Sequence, residues 1–185
     1  ELQEIGLKQG DFVLKGLSET TSGQAETVAV GCRAVELTDA DSLTIFNIDT
    51  IRPDFQYPAI VSQDACDGYL EVFLGEGDHW SFVEPAKDDP SKSIAVDVAE
   101  KIRISDLCST GLYYFKRASD FMDIYSTIEN KPVEELQGGE RYVAPMYKAL
   151  ISEGKDIRYH TISSNEVMFS GTPDEYTQLR AHMES

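Results

Sequence analysis

The 185 residues carry 33 acidic against 16 basic side chains, a formal net charge of −17, and 41% of them are hydrophobic. That is enough apolar material for one packed domain spanning residues 1–185, while the acidity argues against nucleic acid and anionic lipid as partners. No apolar stretch nears the ~20 residues that span a bilayer, and no signal peptide opens the sequence, so no membrane partner is expected.

Phe12-Val13-Leu14, followed by Gly16 and Leu17, predicts a short buried strand. Ser22 then stands as a candidate N-cap for a helix on which Ala25, Val28, Cys32 and Val35 recur at helical spacing, with Glu26 in its opening turns. Leu43–Phe46 predicts a second buried strand, ending at Asn47-Ile48-Asp49. Strand, helix and strand in that order predict a βαβ unit with parallel strands and a right-handed crossover. Three strand-like runs follow, Tyr69–Leu74, Trp80–Glu84 and Ile94–Ala99, separated by turn-rich stretches and read as an antiparallel meander. Leu107–Lys116 is a further strand. Phe121, Ile124, Tyr125 and Ile128 mark a helix, and Tyr142 through Ile151 mark another that Gly154 ends. One or two strands precede Gly171, and Pro173 opens a C-terminal helix at its first turn. The expectation is one mixed α/β domain.

Cys32, Cys66 and Cys108 are odd in number and show no Cys-x-x-Cys spacing, the pattern of reduced thiols in a cytoplasmic protein. His79, His160 and His182 show no metal spacing and are read as surface or packing residues. Trp80 is read as a packing residue of the meander.

Three places invite chemistry. Asp49 puts a carboxylate at the carboxyl end of a predicted parallel strand, where open α/β sheets bind ligands, although an aspartate there also suits the turn that follows. The stretch Thr21-Ser22-Gly23-Gln24-Ala25-Glu26-Thr27 places a glycine at a helix start, where backbone amides approach anions or polar rings. Glu100-Lys101 places an ammonium group, a compact charge suited to a phosphate, beside a carboxylate; exposed pairs of this kind are also common with no role.

The order and spacing of Thr21–Thr27, Glu100-Lys101, Ser109-Thr110-Gly111-Leu112-Tyr113-Tyr114-Phe115 and Gly171-Thr172-Pro173 resemble the sugar-phosphate nucleotidyltransferases, in the subgroup tied to capsule and lipopolysaccharide sugar activation. The resemblance runs from about Phe12 onward. It implies a Rossmann-like α/β fold, a mixed sheet flanked by helices, that lacks the family's opening strand and triphosphate-gripping loop, so that this piece alone is expected to be inactive. It implies a reaction between a nucleoside triphosphate and a sugar phosphate, or a similar phosphorylated acceptor, that releases pyrophosphate.

The resemblance also implies roles. Asp49 would hold Mg²⁺ against the phosphates, and Lys101 would bind the acceptor phosphate. Ser22, Gly23 and Gln24 would meet the base and sugar. Glu100, Ser109, Thr110, Gly111 and Glu140 would line the sugar site. Phe169 stands where many members place a second metal-binding aspartate, which leaves Glu166 or Asp174 as substitutes. Two other readings stay open: a glycosyltransferase, for which Asn47-Ile48-Asp49 would be a degenerate Asp-x-Asp, and a non-catalytic sensor or assembly module. Loss of an opening strand would bare a sheet edge, so self-association into a homo-oligomer is expected.

Overall fold

Leu107–Phe115 is buried from end to end, and the other strands are arranged around it. In chain order the computed structural model, which describes residues 8, 10, 12–35, 37–88 and 90–184, contains α1 (Gln24–Ala34), β1 (Leu43–Phe46), β2 (Thr50–Ile51), α2 (Ala59–Ser62), β3 (Gly68–Leu74), β4 (Ser81–Pro85), β5 (Ala95–Glu100), β6 (Leu107–Phe115), α3 (Ala118–Ile128), α4 (Met146–Ser152), β7 (Ile157–Ile162), β8 (Met168–Phe169) and α5 (Pro173–Met183). Five strands run β5-β4-β6-β3-β7, and β1 also joins β6; β2 and β8 form a separate two-stranded ribbon.

β3 occupies one edge of β6, and two strands share the other. β1 pairs antiparallel with its C-terminal half, from Leu43 opposite Phe115 to Phe46 opposite Leu112. β4 meets it nearer the start, with Phe82 opposite Cys108. Between these two attachments β6 bulges: Leu70 pairs with Tyr113 but Val72 with Ser109, so Thr110–Leu112 lie opposite Glu71 alone. Bulges of this kind re-aim side chains and are common beside functional sites. Gly111 supplies the left-handed turn, with φ +87°.

One face of the sheet packs against α1, α3 and α4. Ala25, Ala29 and Cys32 of α1, Phe121, Ile124 and Tyr125 of α3, and Met146, Tyr147 and Leu150 of α4 meet Leu70, Val72, Val83, Val98, Phe115 and Ile157 of the strands. These are the positions that helical periodicity marks as apolar. Two smaller clusters complete the core: Cys66, Tyr69, Leu112 and Tyr114 with Ile60 and Val61 of α2, and Phe73, Phe82 and Cys108 with Trp80 and Phe169.

Several expectations are corrected. Phe12–Leu17 form no strand, and Val13 and Leu14 are 62% and 78% exposed; a three-residue apolar run broken by Lys15-Gly16 offers no alternating face to bury. The βαβ unit is therefore absent. β1 runs antiparallel to its neighbour, and the one parallel pair among the described strands is β3 with β7. The meander is also interrupted, because β6 lies between β3 and β4. α1 is capped by Gly23 rather than by Ser22, whose amide instead donates to Glu26 Oε2 at 2.7 Å. α4 begins at Met146 rather than Tyr142, since Pro145, lacking an N–H, fits the helix entry and not its interior. The C-terminal helix starts where expected, with Thr172 and Glu175 forming a capping box around Pro173. No helix among the described residues is long and apolar enough to cross a membrane.

Candidate active site

The gap between the end of β1 and the start of β4, on their shared edge of β6, opens into a cleft of about 720 Å³. Its floor is the bulged stretch Ser109-Thr110-Gly111. Asn47, Ile48 and Asp49 enter from the end of β1, Trp80 and Ser81 from the start of β4, and Glu100 from the end of β5. Gln24 and Thr27 on the first turns of α1 close one side, and Phe169, Gly171 and Glu175 close another.

The turn after β1 is tightly determined. Thr50 donates its amide to Asn47 O at 3.2 Å and its hydroxyl to Thr110 O at 3.0 Å. Gln24 Nε2 donates to Asn47 Oδ1, and the Asn47 amide occupies the space a β-carbon would take on Gly111. A side chain at position 111 would therefore collide with Asn47 in a backbone conformation that already disfavours it. Gly111→Ala should displace Asn47 from the floor and cost about 1–3 kcal/mol. Chemical denaturation at an unchanged midpoint would contradict that.

Asp49 is exposed, at the mouth. Its backbone carbonyl accepts from Ser170 N at 2.8 Å and Ser170 Oγ at 3.1 Å, which ties it to the segment after β8. The point a Gly171 β-carbon would fill lies 2.7 Å from Asp49 Oδ2 and 3.7 Å from Glu175 Oε2. Two hard-oxygen carboxylates thus bracket one small cradle. No group of three or more His, Cys, Asp or Glu side chains suited to a metal occurs among the described residues. Two carboxylates still suit magnesium, which commonly takes one or two together with substrate phosphate and water.

Glu100 is the deepest acid of the cleft, 5% exposed. Ser81 Oγ donates to its Oε2, and its amide donates to Gln137 Oε1 at 3.1 Å. Burial pushes its carboxyl above the ordinary glutamate range, partly offset by the Ser81 hydrogen bond and the Lys101 charge, while Glu140 pushes the same way as burial. A carboxyl raised on folding favours the folded state most when protonated; that contribution is present below its unfolded value and fades as pH rises through the raised one. Glu100→Gln retains an acceptor for Ser81 and removes the buried charge. Its thermal midpoint should match or exceed the parent's at pH 7.5, with the gap closing towards pH 4. A parent more stable than the variant at neutral pH would reverse this assignment.

The structure thus gathers Gln24, Asp49, Glu100, Ser109, Thr110 and Gly111 around one opening. The other four candidates lie outside its lining. Ser22 and Gly23 are tied to another strand of chain: Arg141 N donates to Ser22 O at 2.8 Å, and a β-carbon on Gly23 would stand 2.6 Å from Arg141 N. Lys101 adopts φ +54° and aims its ammonium at Tyr142, donating to the hydroxyl at 2.5 Å with Nζ 4.7 Å from the ring centre. That hydrogen bond raises the lysine pKa, and Glu100 and Glu140 add to it. Glu140 itself lines a smaller neighbouring groove of about 250 Å³, and Tyr142 forms a wall of both.

Sequence reasoning missed Glu175, Tyr142 and Ser81. Glu175 was legible only as the fourth residue of a Thr-Pro-Asp-Glu capping box, a signal that accounts for it fully without a ligand. Of the expected substitutes for the missing aspartate, neither Glu166 nor Asp174 lines the cleft; Glu166 closes a capping box with Ser163. Trp80 packs as expected, against Phe73 at 5.1 Å between ring centres, yet it also faces the cleft beside Phe169, 4.9 Å away.

No family model matches the chain, and no curated protein does. Solved structures do. The chain is similar to the nucleoside-diphosphate-sugar pyrophosphorylase from Vibrio cholerae RC9, at 46% identity and a TM-score of 0.78, over 88% of this chain and 66% of that one. It is also similar in fold, at 13% identity in each case, to the UDP-glucose pyrophosphorylase complexed with UDP-glucose (TM-score 0.69, 89% of this chain, 64% of that one) and to a glucose-1-phosphate thymidylyltransferase candidate from Bacillus anthracis in complex with a sucrose (TM-score 0.61, 89% and 62%). The fold is that of the sugar nucleotidyltransferases, and the identity to the Vibrio protein supports that family. The chain spans 66%, 64% and 62% of the length of these three proteins.

Proposed function

We propose that this chain supplies the acceptor side of a sugar nucleotidyltransferase, in which a sugar phosphate or similar phosphorylated acceptor attacks the α-phosphorus of a nucleoside triphosphate and pyrophosphate leaves, in the service of surface-polysaccharide synthesis. The observation that carries this reading is the convergence of Asp49, Glu100 and the Ser109–Gly111 bulge on one cleft at the end of β1, in a fold shared with pyrophosphorylases.

Phosphoryl transfer of this kind asks the protein mainly to position groups and neutralise charge. The cleft lining holds Asp49, Glu100 and Glu175 and neither lysine nor arginine, so positive charge has to be brought to it. Asp49 and Glu175 would hold Mg²⁺, whose contribution when bound is to offset the charge of the phosphates. Lys101 stands just outside the lining. By exchanging the Tyr142 hydroxyl for a phosphate oxygen, its amine would fix the acceptor. Glu100 would accept a hydroxyl of the sugar at the cleft floor, where Gly111 lets backbone come close. Gln24 would turn from Asn47 to the base. The glycosyl-transfer alternative is disfavoured because position 47 is an asparagine, whose neutral side chain two residues before Asp49 makes no Asp-x-Asp pair.

Calorimetric titration of the chain with nucleotide sugars, nucleoside triphosphates and hexose 1-phosphates, each with Mg²⁺, tests the reading. Saturable binding of at least one of them, weakened by Asp49→Asn, is expected; no binding by any would overturn it. Pyrophosphate release by this chain alone is expected to be undetectable, since among the described residues no strand is followed by a glycine-rich, arginine-bearing loop.

A further inference from the structure

Glu71 sits in the middle of β3, 1% exposed, and takes no part in the site described above. Its carboxylate is gripped by Arg52, with Nε on Oε1 at 2.7 Å and Nη2 on Oε2 at 3.0 Å. The arginine side chain is 8% exposed. Its third nitrogen, Nη1, donates to Glu166 O at 2.5 Å. Thr110 Oγ1 donates to Glu71 Oε1 at 3.1 Å, and Thr50 Oγ1 donates to Thr110 O at 3.0 Å.

These bonds join two bodies. Arg52 directly follows β2 and Glu166 closely precedes β8, so one guanidinium spans both strands of the ribbon. Glu71 and Thr110 belong to the main sheet, at its bulge. A two-stranded ribbon of two residues per strand has little stability of its own, yet Asp49 precedes it and Gly171 and Glu175 follow it. A buried ion pair is also a costly way to hold two elements together, since apolar side chains of similar volume often serve as well or better. What bidentate geometry provides beyond apolar packing is direction.

We propose that Arg52 and Glu71 are positioning residues: their ion pair latches the β2–β8 ribbon to the cleft floor and thereby sets where the Asp49 carboxylate stands. This rests on the reading of Asp49 as a metal ligand, and it names the part of the fold that aims it.

The experiment uses the chain with Glu71→Gln, with Arg52→Lys, and with the double replacement Arg52→Met plus Glu71→Leu, which removes the latch while leaving an apolar interface. Amide exchange is followed at Thr50 and Ser170, whose N–H groups close the turns around Asp49, and at β3 and β6 as a control. Binding of Mn²⁺ alone is followed by electron paramagnetic resonance. In the double variant, exchange at Thr50 and Ser170 should accelerate while the sheet amides keep the parent rate, and the Mn²⁺ dissociation constant should rise by about 10-fold or more. Arg52→Lys, which keeps the charge without the fork, should fall between parent and double variant. Unchanged exchange at Thr50 and Ser170 overturns the latch. Faster exchange with unchanged Mn²⁺ affinity overturns its positioning role. A parent chain that binds no Mn²⁺ defeats the metal reading of Asp49 instead, and the latch is then decided by the exchange rates alone.

Discussion

Truncation of Tyr147 to alanine should destabilise the fold by about 4 kcal/mol, within the range seen for large aromatic side chains removed from cores, and lower the thermal midpoint by roughly 10 °C for a chain of this size. Tyr147 is fully buried on α4. Its ring stacks on Phe115 at 4.6 Å between centres and lies 6.1 Å from Tyr113. Its hydroxyl lies 2.9 Å from Tyr114 O and 3.2 Å from Tyr69 O, bridging β6 and β3 from the helix side. Burial drives its pKa well above the ordinary tyrosine value, so it remains a neutral donor throughout the working pH range. Tyr147→Phe separates the two contributions. It keeps the packing and removes the one hydroxyl proton that two sheet carbonyls share, at a cost of about 1–3 kcal/mol. An alanine variant that melts within a degree or two of the parent would show that the helical layer does not hold β3 and β6 together as described.

The second large effect belongs to Asp49. Asp49→Asn keeps the side-chain shape and the backbone carbonyl that Ser170 uses, so thermal stability should stay within about 0.5 kcal/mol, as for other exposed substitutions. Affinity for Mg²⁺ or Mn²⁺ should nevertheless fall by about 100-fold, because an amide oxygen replaces the charged one of the two carboxylates bracketing Gly171 that stands nearer the cradle. Glu175→Gln should weaken binding in the same direction by less, because Glu175 Oε2 already accepts from Thr172 N at 2.9 Å. Equal metal affinity in the parent and Asp49→Asn would overturn the proposed metal-binding role of Asp49.

Much of the chain was legible locally. The apolar stripes of α1 and α3, the aromatic-rich stretch of β6 and the Pro173 helix start each obey a short-range rule, and each stands within a few residues of its expected place. Pairing was not legible. β1 finds its partner nearly 70 residues away, and nothing in Leu43–Phe46 states that the partner is antiparallel. Phe12-Val13-Leu14 has strand composition, but composition cannot supply the neighbouring ladder a strand requires. The same limit governs the site. Asp49 could be singled out because it closes the turn after a strand, where side chains reach a crevice, and Glu100 because it adjoins Lys101. Glu175 could not, because its separation from Asp49 closes only once Ser170 bonds to the carbonyl before β2. Lys101 stands beside the cleft without lining it, and its engagement with Tyr142 depends on a segment some 40 residues later.

The opening between β1 and β4 is framed by strands hydrogen-bonded to one common backbone, not by two loops free to drift. Its width can therefore change only in whole steps: sliding β1 by one residue along β6 would turn Ile45 from core to solvent and carry Asn47 off Gly111. Adaptation to a bulkier or slimmer ligand would have to come from exchanging the side chains at the rim, on a frame whose dimensions are inherited unaltered.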